Sequence, residues 1–124
     1  MSTDTAFRRI TSEVVDGVLV IGFRGGPGLK LIETPVVREF RRELTAAIGE
    51  RDRVLLDFTN VDYFNSVALG AVQNNARRLG KKGKTLVLCC VRPEILVVFS
   101  ITWTTPGLCQ HYANRQSALQ ALKG

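Results

Sequence analysis

With 124 residues, the chain has the size of one domain, residues 1–124, and can bury a core without disulfides or structural metals. Apolar residues make up 45% and charged residues 23%, a globular composition rather than a disordered or collagenous one. The longest apolar run, Ile95 to Ile101, is far short of the roughly 18 residues that cross a bilayer, so no membrane span is expected.

Phe7 to Val15 reads as a first strand, followed by the Asp16-Gly17 turn and a stronger strand, Val18 to Phe23. The segment RGGPGLKLIE is glycine-rich and irregular, and it reads as a loop. Thr34 as N-cap and Pro35 at the first helical position open a helix whose core stripe is Val37, Phe40, Leu44, Ala47 and Ile48. Its outer face is expected to be Arg38, Arg41, Arg42 and Glu43, and Gly49 ends it. Arg53 to Phe58 is a short apolar strand. Asn65 is a preferred N-cap, and Leu69, Val72, Ala76 and Leu79 form the stripe of a second helix that ends at Gly80 or Gly83. Thr85 to Val91 is a buried strand, Pro93 starts a third helix through about Ile101, Gln110 to Tyr112 is a last strand, and Ser117 caps a final helix through Leu122. The order predicts an α/β fold, a mixed sheet of about five strands with about four helices packed on it.

Most chemistry is missing. His111 is the lone histidine and builds no metal site or triad by itself. No GxSxG elbow surrounds Ser66, and the Gly25 to Gly28 loop has neither GxGxxG spacing nor a Walker lysine. Cys89, Cys90 and Cys109 are an odd set without an export signal in MSTDTAFRRI, so they read as reduced thiols filling a core, with Cys89 and Cys90 on opposite faces of a strand. No metal, no cofactor and no enzymatic activity are expected, and the location is expected to be cytoplasmic. The net charge of +6, from 17 basic and 11 acidic residues, raises nucleic acid as a partner. The cations are spread over several elements, and Arg77, Arg78, Lys81, Lys82 and Lys84 cluster where a helix end welcomes them, so nucleic acid is disfavoured.

Ser66 stands out. It falls in the first turn of the second helix, where unsatisfied N–H groups and the helix dipole tolerate a phosphate. Either Asn65 and Ser66 are a plain helix cap, or Ser66 is an exposed acceptor whose phosphorylation would add roughly two negative charges and leave the fold intact.

From about Phe7 to Leu122 the chain resembles a STAS domain of the bacterial anti-sigma factor antagonist type. The resemblance rests on VLLDFTNVDYFNSVALG, where strand, polar turn, serine, leucine and final glycine are in register, and on ETPVVREFRREL, GKTLVLCCVRPEILVVFSIT and SALQAL. It implies a regulatory binding module with Ser66 as phosphoacceptor. It also implies a partner that is both anti-sigma factor and serine kinase, of the histidine-kinase-like ATPase type, and a phosphatase that resets the switch. Motif positions depart from the family pattern: Asn65 replaces an aspartate, Val67 a serine or threonine, Ala68 a glycine, and Lys30 stands near another expected aspartate, while Gly70 is kept. The Ala68 methyl is expected where a partner backbone would approach.

The stripe Val67, Gly70, Asn74 and Arg77, beside Ser66, is the expected partner-binding face. The third helix is apolar nearly all round, so some of Val97, Val98, Ile101 and Trp103 are expected on the surface, as a dimer or partner contact. Two other readings stay open: a STAS scaffold or adaptor without a switch, in a stress-sensing or transport complex, and a small-ligand or nucleotide-binding domain using Gly25 to Gly28 and the mouth at Ser66.

Overall fold

A computed structural model describes residues 7–102 and 109–123, without the side chains of 100–102. The elements run β1 (Ile10–Val15), β2 (Val18–Phe23), β3 (Leu29–Leu31), α1 (Thr34–Ile48), β4 (Arg53–Asp57), β5 (Val61–Phe64), α2 (Ser66–Lys81), β6 (Thr85–Cys89), α3 (Pro93–Thr102), β7 (Gln110–Tyr112) and α4 (Arg115–Leu122). Five strands form one mixed sheet in the order β1-β2-β4-β6-β7. The β1–β2 hairpin turns through Asp16 and Gly17, both at positive φ, and every later pairing in this sheet is parallel. This is the mixed sheet and four-helix arrangement that the sequence predicts.

The strand period of two sorts the core into two layers. Leu19, Ile21, Val54, Leu56, Leu86 and Leu88 face α1, α2 and α3. Val18, Val20, Leu55, Val87 and Cys89 face the other way, against Ala118 and Leu122 of α4. Three helices therefore cover one face, and a single eight-residue helix covers the other.

Four expectations change. The glycine-rich segment is not all loop: β3 pairs in parallel with β5, a second strand the sequence reading does not resolve, to form a two-stranded ribbon. Positive φ angles at Gly25 and Gly28 turn the chain into β3, and the Leu29 N–H donates to the Asn60 carbonyl at 2.9 Å. At α1 the N-cap is Glu33 rather than Thr34: the Val37 N–H bonds the Glu33 carbonyl, with no side-chain cap. At α4 the cap is Asn114, whose Oδ1 accepts from the Ser117 N–H at 2.8 Å. Glu43 is buried rather than solvated: its carboxylate accepts the N–H groups of Arg8 and Arg9, both at 2.8 Å, and so fastens the start of the chain to α1.

Candidate functional site

The approach to Ser66 departs from strict strand alternation, with buried residues at both ends of β5. Val61 and Phe64 point inward, and Tyr63 is 49% exposed. Phe64 joins an aromatic cluster, with ring centroids 5.0 Å from Phe58, 5.4 Å from Phe40 and 5.7 Å from Phe23. Burying one large ring immediately before the turn fixes the level at which α2 begins.

Asn65 then does two jobs. Its Oδ1 accepts from the Ala68 N–H at 2.9 Å, which is the expected N-cap. Its Nδ2 donates to the Ile32 carbonyl at 3.2 Å, while its own N–H donates to the Leu31 carbonyl at 3.0 Å. The end of β3 and the mouth of α2 are thereby held as one unit.

Ser66 is exposed at the first position of α2, where its N–H and that of Val67 have no intrahelical acceptor. Tyr63, Val67 and Ile32 are the large exposed apolar side chains on the segments meeting here, and Lys30 is exposed on β3. Along α2, Val67 and Asn74 are exposed and Gly70 and Arg77 half-buried. A Cβ at Gly70 would meet nothing within 4 Å, so the face is shallow there. Ala68 is 0% exposed, which corrects one expectation: its methyl packs into the core and does not meet a partner. Arg92, at the start of the segment leading into α3, pairs with Asp62 of β5 at 2.8 Å and with Glu94 at 3.1 Å.

A second cluster sits at the carboxyl edge of the sheet, and the sequence reading misses it. Asp57 is buried beside Cys89 in register, with donor atoms of Asp57, Cys89 and Cys90 all within 4.8 Å of one another. Cys90 adopts φ +60°, which ends β6 and swings its sulfur to 3.6 Å from that of Cys89; the two do not sit on opposite faces. The donor set is a poor fit for an ion, because the carboxylate is already saturated. One oxygen accepts from the Thr59 N–H (2.9 Å) and hydroxyl (2.6 Å), the other from Arg115 Nε (3.0 Å) and Nη2 (2.8 Å). Burial alone would raise the Asp57 pKa, but the Thr59 hydrogen bonds and then the Arg115 guanidinium outweigh it and hold the carboxyl below its ordinary value of 3.8. Burial, then the nearby Asp57 charge, pushes the Cys89 thiol far up, and burial pushes Cys109 up to about 12, so both stay protonated. His111 is exposed on β7, apart from this cluster in the register, opposite Leu88.

On α3, Ile95 and Phe99 are buried, Val98 is half-buried and Val97 is 57% exposed. The side chain of Ile101 and all of Trp103 lie outside the described residues. Among the described residues no helix is long and apolar enough to cross a membrane.

The STAS domain model matches residues 9–117, and the chain belongs to that family. BtrV of Bordetella bronchiseptica, a proposed anti-sigma factor antagonist, is 31% identical over 96 residues, 76% of this chain and 78% of that one. Among solved structures, a STAS domain protein of Planctomyces limnophilus superposes with a TM-score of 0.77 at 24% identity, covering 93% of this chain and 98% of that chain. A Moorella thermoacetica RsbS variant gives 0.74 at 18%, covering 94% and 96%. The last two likenesses speak for the fold.

Proposed function

We propose that this protein is a cytoplasmic anti-sigma factor antagonist, a binding module rather than an enzyme. It docks an anti-sigma factor that doubles as a serine kinase of the histidine-kinase-like ATPase type. The docking face is the mouth of α2: Ser66 with Val67, Gly70, Asn74 and Arg77, and the motif residue Asn65 holding the mouth in place. Phosphorylation closes the interaction. The Ser66 Oγ takes the γ-phosphoryl group of ATP, ADP leaves, and the hydroxyl proton passes to the kinase or to water. The added charge sits where the helix dipole favours it, so the fold persists while the docking face turns anionic. A phosphatase returns the free serine.

One observation carries the reading: Ser66 is exposed at the start of a sixteen-residue helix, on a platform tied down by Asn65 and Phe64, with Tyr63, Ile32 and Val67 exposed around it. The relative BtrV carries the same proposed role. A second reading, a constitutive adaptor, is favoured by Asn65 and Lys30, which remove the acidic side chains a kinase of the usual type would find. A homodimer through α3 rests on the exposure of Val97 alone.

A pull-down from native cytosol with wild-type, Ser66→Ala and Ser66→Asp baits, with intact mass of the recovered bait, decides between them. The switch predicts an ATPase partner on wild type and Ser66→Ala, its loss from Ser66→Asp, and a phosphate on wild type only. The same partners on all three baits, with no added mass, would establish the adaptor.

A further inference from the structure

Three arginines on α1 converge on one cleft. Arg38, Arg41 and Arg42 are exposed and spaced i, i+3, i+4, so they share a side of the helix. With Thr45 of α1 and Asn74 and Asn75 of α2 they line a cleft of about 350 Å3 that has no acidic residue in its wall. The acidic side chains of α1 are committed elsewhere: Glu39 pairs with Arg9 at 2.6 Å, and Glu43 binds the Arg8 and Arg9 backbone. Among the described residues the three guanidiniums have no ion-pair partner. Like charges at this spacing cost a helix about 0.2–0.5 kcal/mol, so the row works against the stability of α1.

The floor beneath them is buried and hydrogen-bonded. Asn75 is 4% exposed, its Nδ2 donating to the Ala71 carbonyl at 2.9 Å and to the Thr45 hydroxyl at 3.4 Å. Arg78 Nη2 donates to its Oδ1 at 3.0 Å, and Nη1 reaches the Gly49 carbonyl at the end of α1. The cleft also adjoins the face described above, because Asn74 belongs to both; along the axis of α2 it lies about 12 Å from Ser66.

We infer that the α1–α2 cleft receives an acidic segment of the same partner, its carboxylates paired with Arg38, Arg41 and Arg42; this rests on the antagonist reading. Guanidinium forks suit carboxylates, pairing two hydrogen bonds at a time. The wall offers no aromatic or large apolar side chain on which a nucleobase would stack, which favours a peptide carboxylate over a nucleotide or nucleic acid. The cation row steers an acidic partner on approach, and contacts at Ser66 then complete the docking.

The test is a titration of the full-length chain, isotopically labelled, with a synthetic helical peptide carrying glutamates at i, i+3 and i+4, and with its glutamine isostere. The glutamate peptide is expected to move the amide signals of residues 38–45 and 71–75. Its affinity should fall at least about tenfold in the Arg38→Glu, Arg41→Glu, Arg42→Glu triple variant, and likewise for the glutamine isostere. An Arg51→Glu, Lys81→Glu, Lys123→Glu control, with the same net charge, should bind as wild type. No shift at those residues, or equal binding by triple variant and control, would overturn the inference. So would duplex DNA or ATP moving those signals where the peptide does not, since the cleft would then be a phosphate site. The two variants also serve as pull-down baits. Partner retained by both but lost from Ser66→Asp overturns the cleft and leaves the antagonist reading standing. If no bait recovers a partner, the antagonist reading fails, and the peptide titration decides the occupant by itself.

Discussion

Asn65 is the residue on which the geometry of the candidate site turns. Its amide spans two elements, accepting from Ala68 and donating to Ile32. Asn65→Ala should cost about 1 kcal/mol from the lost cap, read from the shift of a urea midpoint at unchanged slope. Asn65→Asp keeps the acceptor and gains the dipole, but it cannot donate to Ile32, so its midpoint should lie near wild type. Asp57 is the other residue with outsized leverage. Arg115→Met would leave this buried carboxylate with Thr59 alone, at a cost of about 1–3 kcal/mol. The effect has a pH signature. Because the folded pKa lies below 3.8, the contribution is complete above about pH 4 and is lost as the pH falls through the lowered value. The stability gap between wild type and Arg115→Met should therefore be widest near neutrality and narrow in acid; a gap independent of pH would refute the assignment.

At the scale of elements, the β3–β5 ribbon is an unusual platform for a helix, since a two-stranded pair is marginal by itself. It holds because Phe64 inserts into the aromatic cluster and Asn65 stitches β3 to α2. Phe64→Ala should cost about 3–5 kcal/mol. Amide exchange in β3, β5 and the first turn of α2 should rise together, whereas faster exchange confined to β5 would show that the elements are not coupled. Helix α2 itself carries a glycine where helix propensity disfavours it. With nothing within 4 Å of a Cβ at position 70, Gly70→Ala should stabilise by about 0.5–1 kcal/mol in thermal melts. Gly70→Leu should fold equally well and lose the partner in the pull-down, because the side chain would project from the docking face. Retained binding by Gly70→Leu would remove Gly70 from that face.

The molecule as a whole is asymmetric. One face of the sheet is sealed by three helices, the other by α4, with Ala118 and Leu122 over Val18, Val20, Leu55 and Val87. Arg115, the first residue of α4, ties it to Asp57 on β4 and to Glu13 on β1 at 3.1 Å. Deleting residues 115–124 should expose a continuous apolar sheet face, and light scattering should report association that wild type does not show. The charge is asymmetric too, with the arginine row on α1, unpaired among the described residues, on one flank and the Lys82 and Lys84 pairs with Glu50 and Asp52 on another.

Much of this was legible in the residues. The alternation of VLVIGF and the apolar run in RVLLDF define strands, and the 3.6-residue stripes of Val37–Ile48 and Leu69–Leu79 define helices. Asn65 before a helical stripe already implies a cap, because its side chain satisfies the N–H three residues on within the same turn. These are local facts, decided within a few residues. The tertiary structure decided what depends on distant partners. A three-residue strand such as LKL has too little pattern to announce itself, and only β5 makes it one. Glu43 reads as solvent-facing from its position on α1, and its contacts with the backbone of Arg8 and Arg9, thirty-five and thirty-four residues away, bury it. Asp57 and Arg115 are 58 residues apart, and no spacing rule relates them. The arginines of α1 were visible as charges, but that they share a cleft with Asn74 and Asn75 follows only from the packing of α1 on α2.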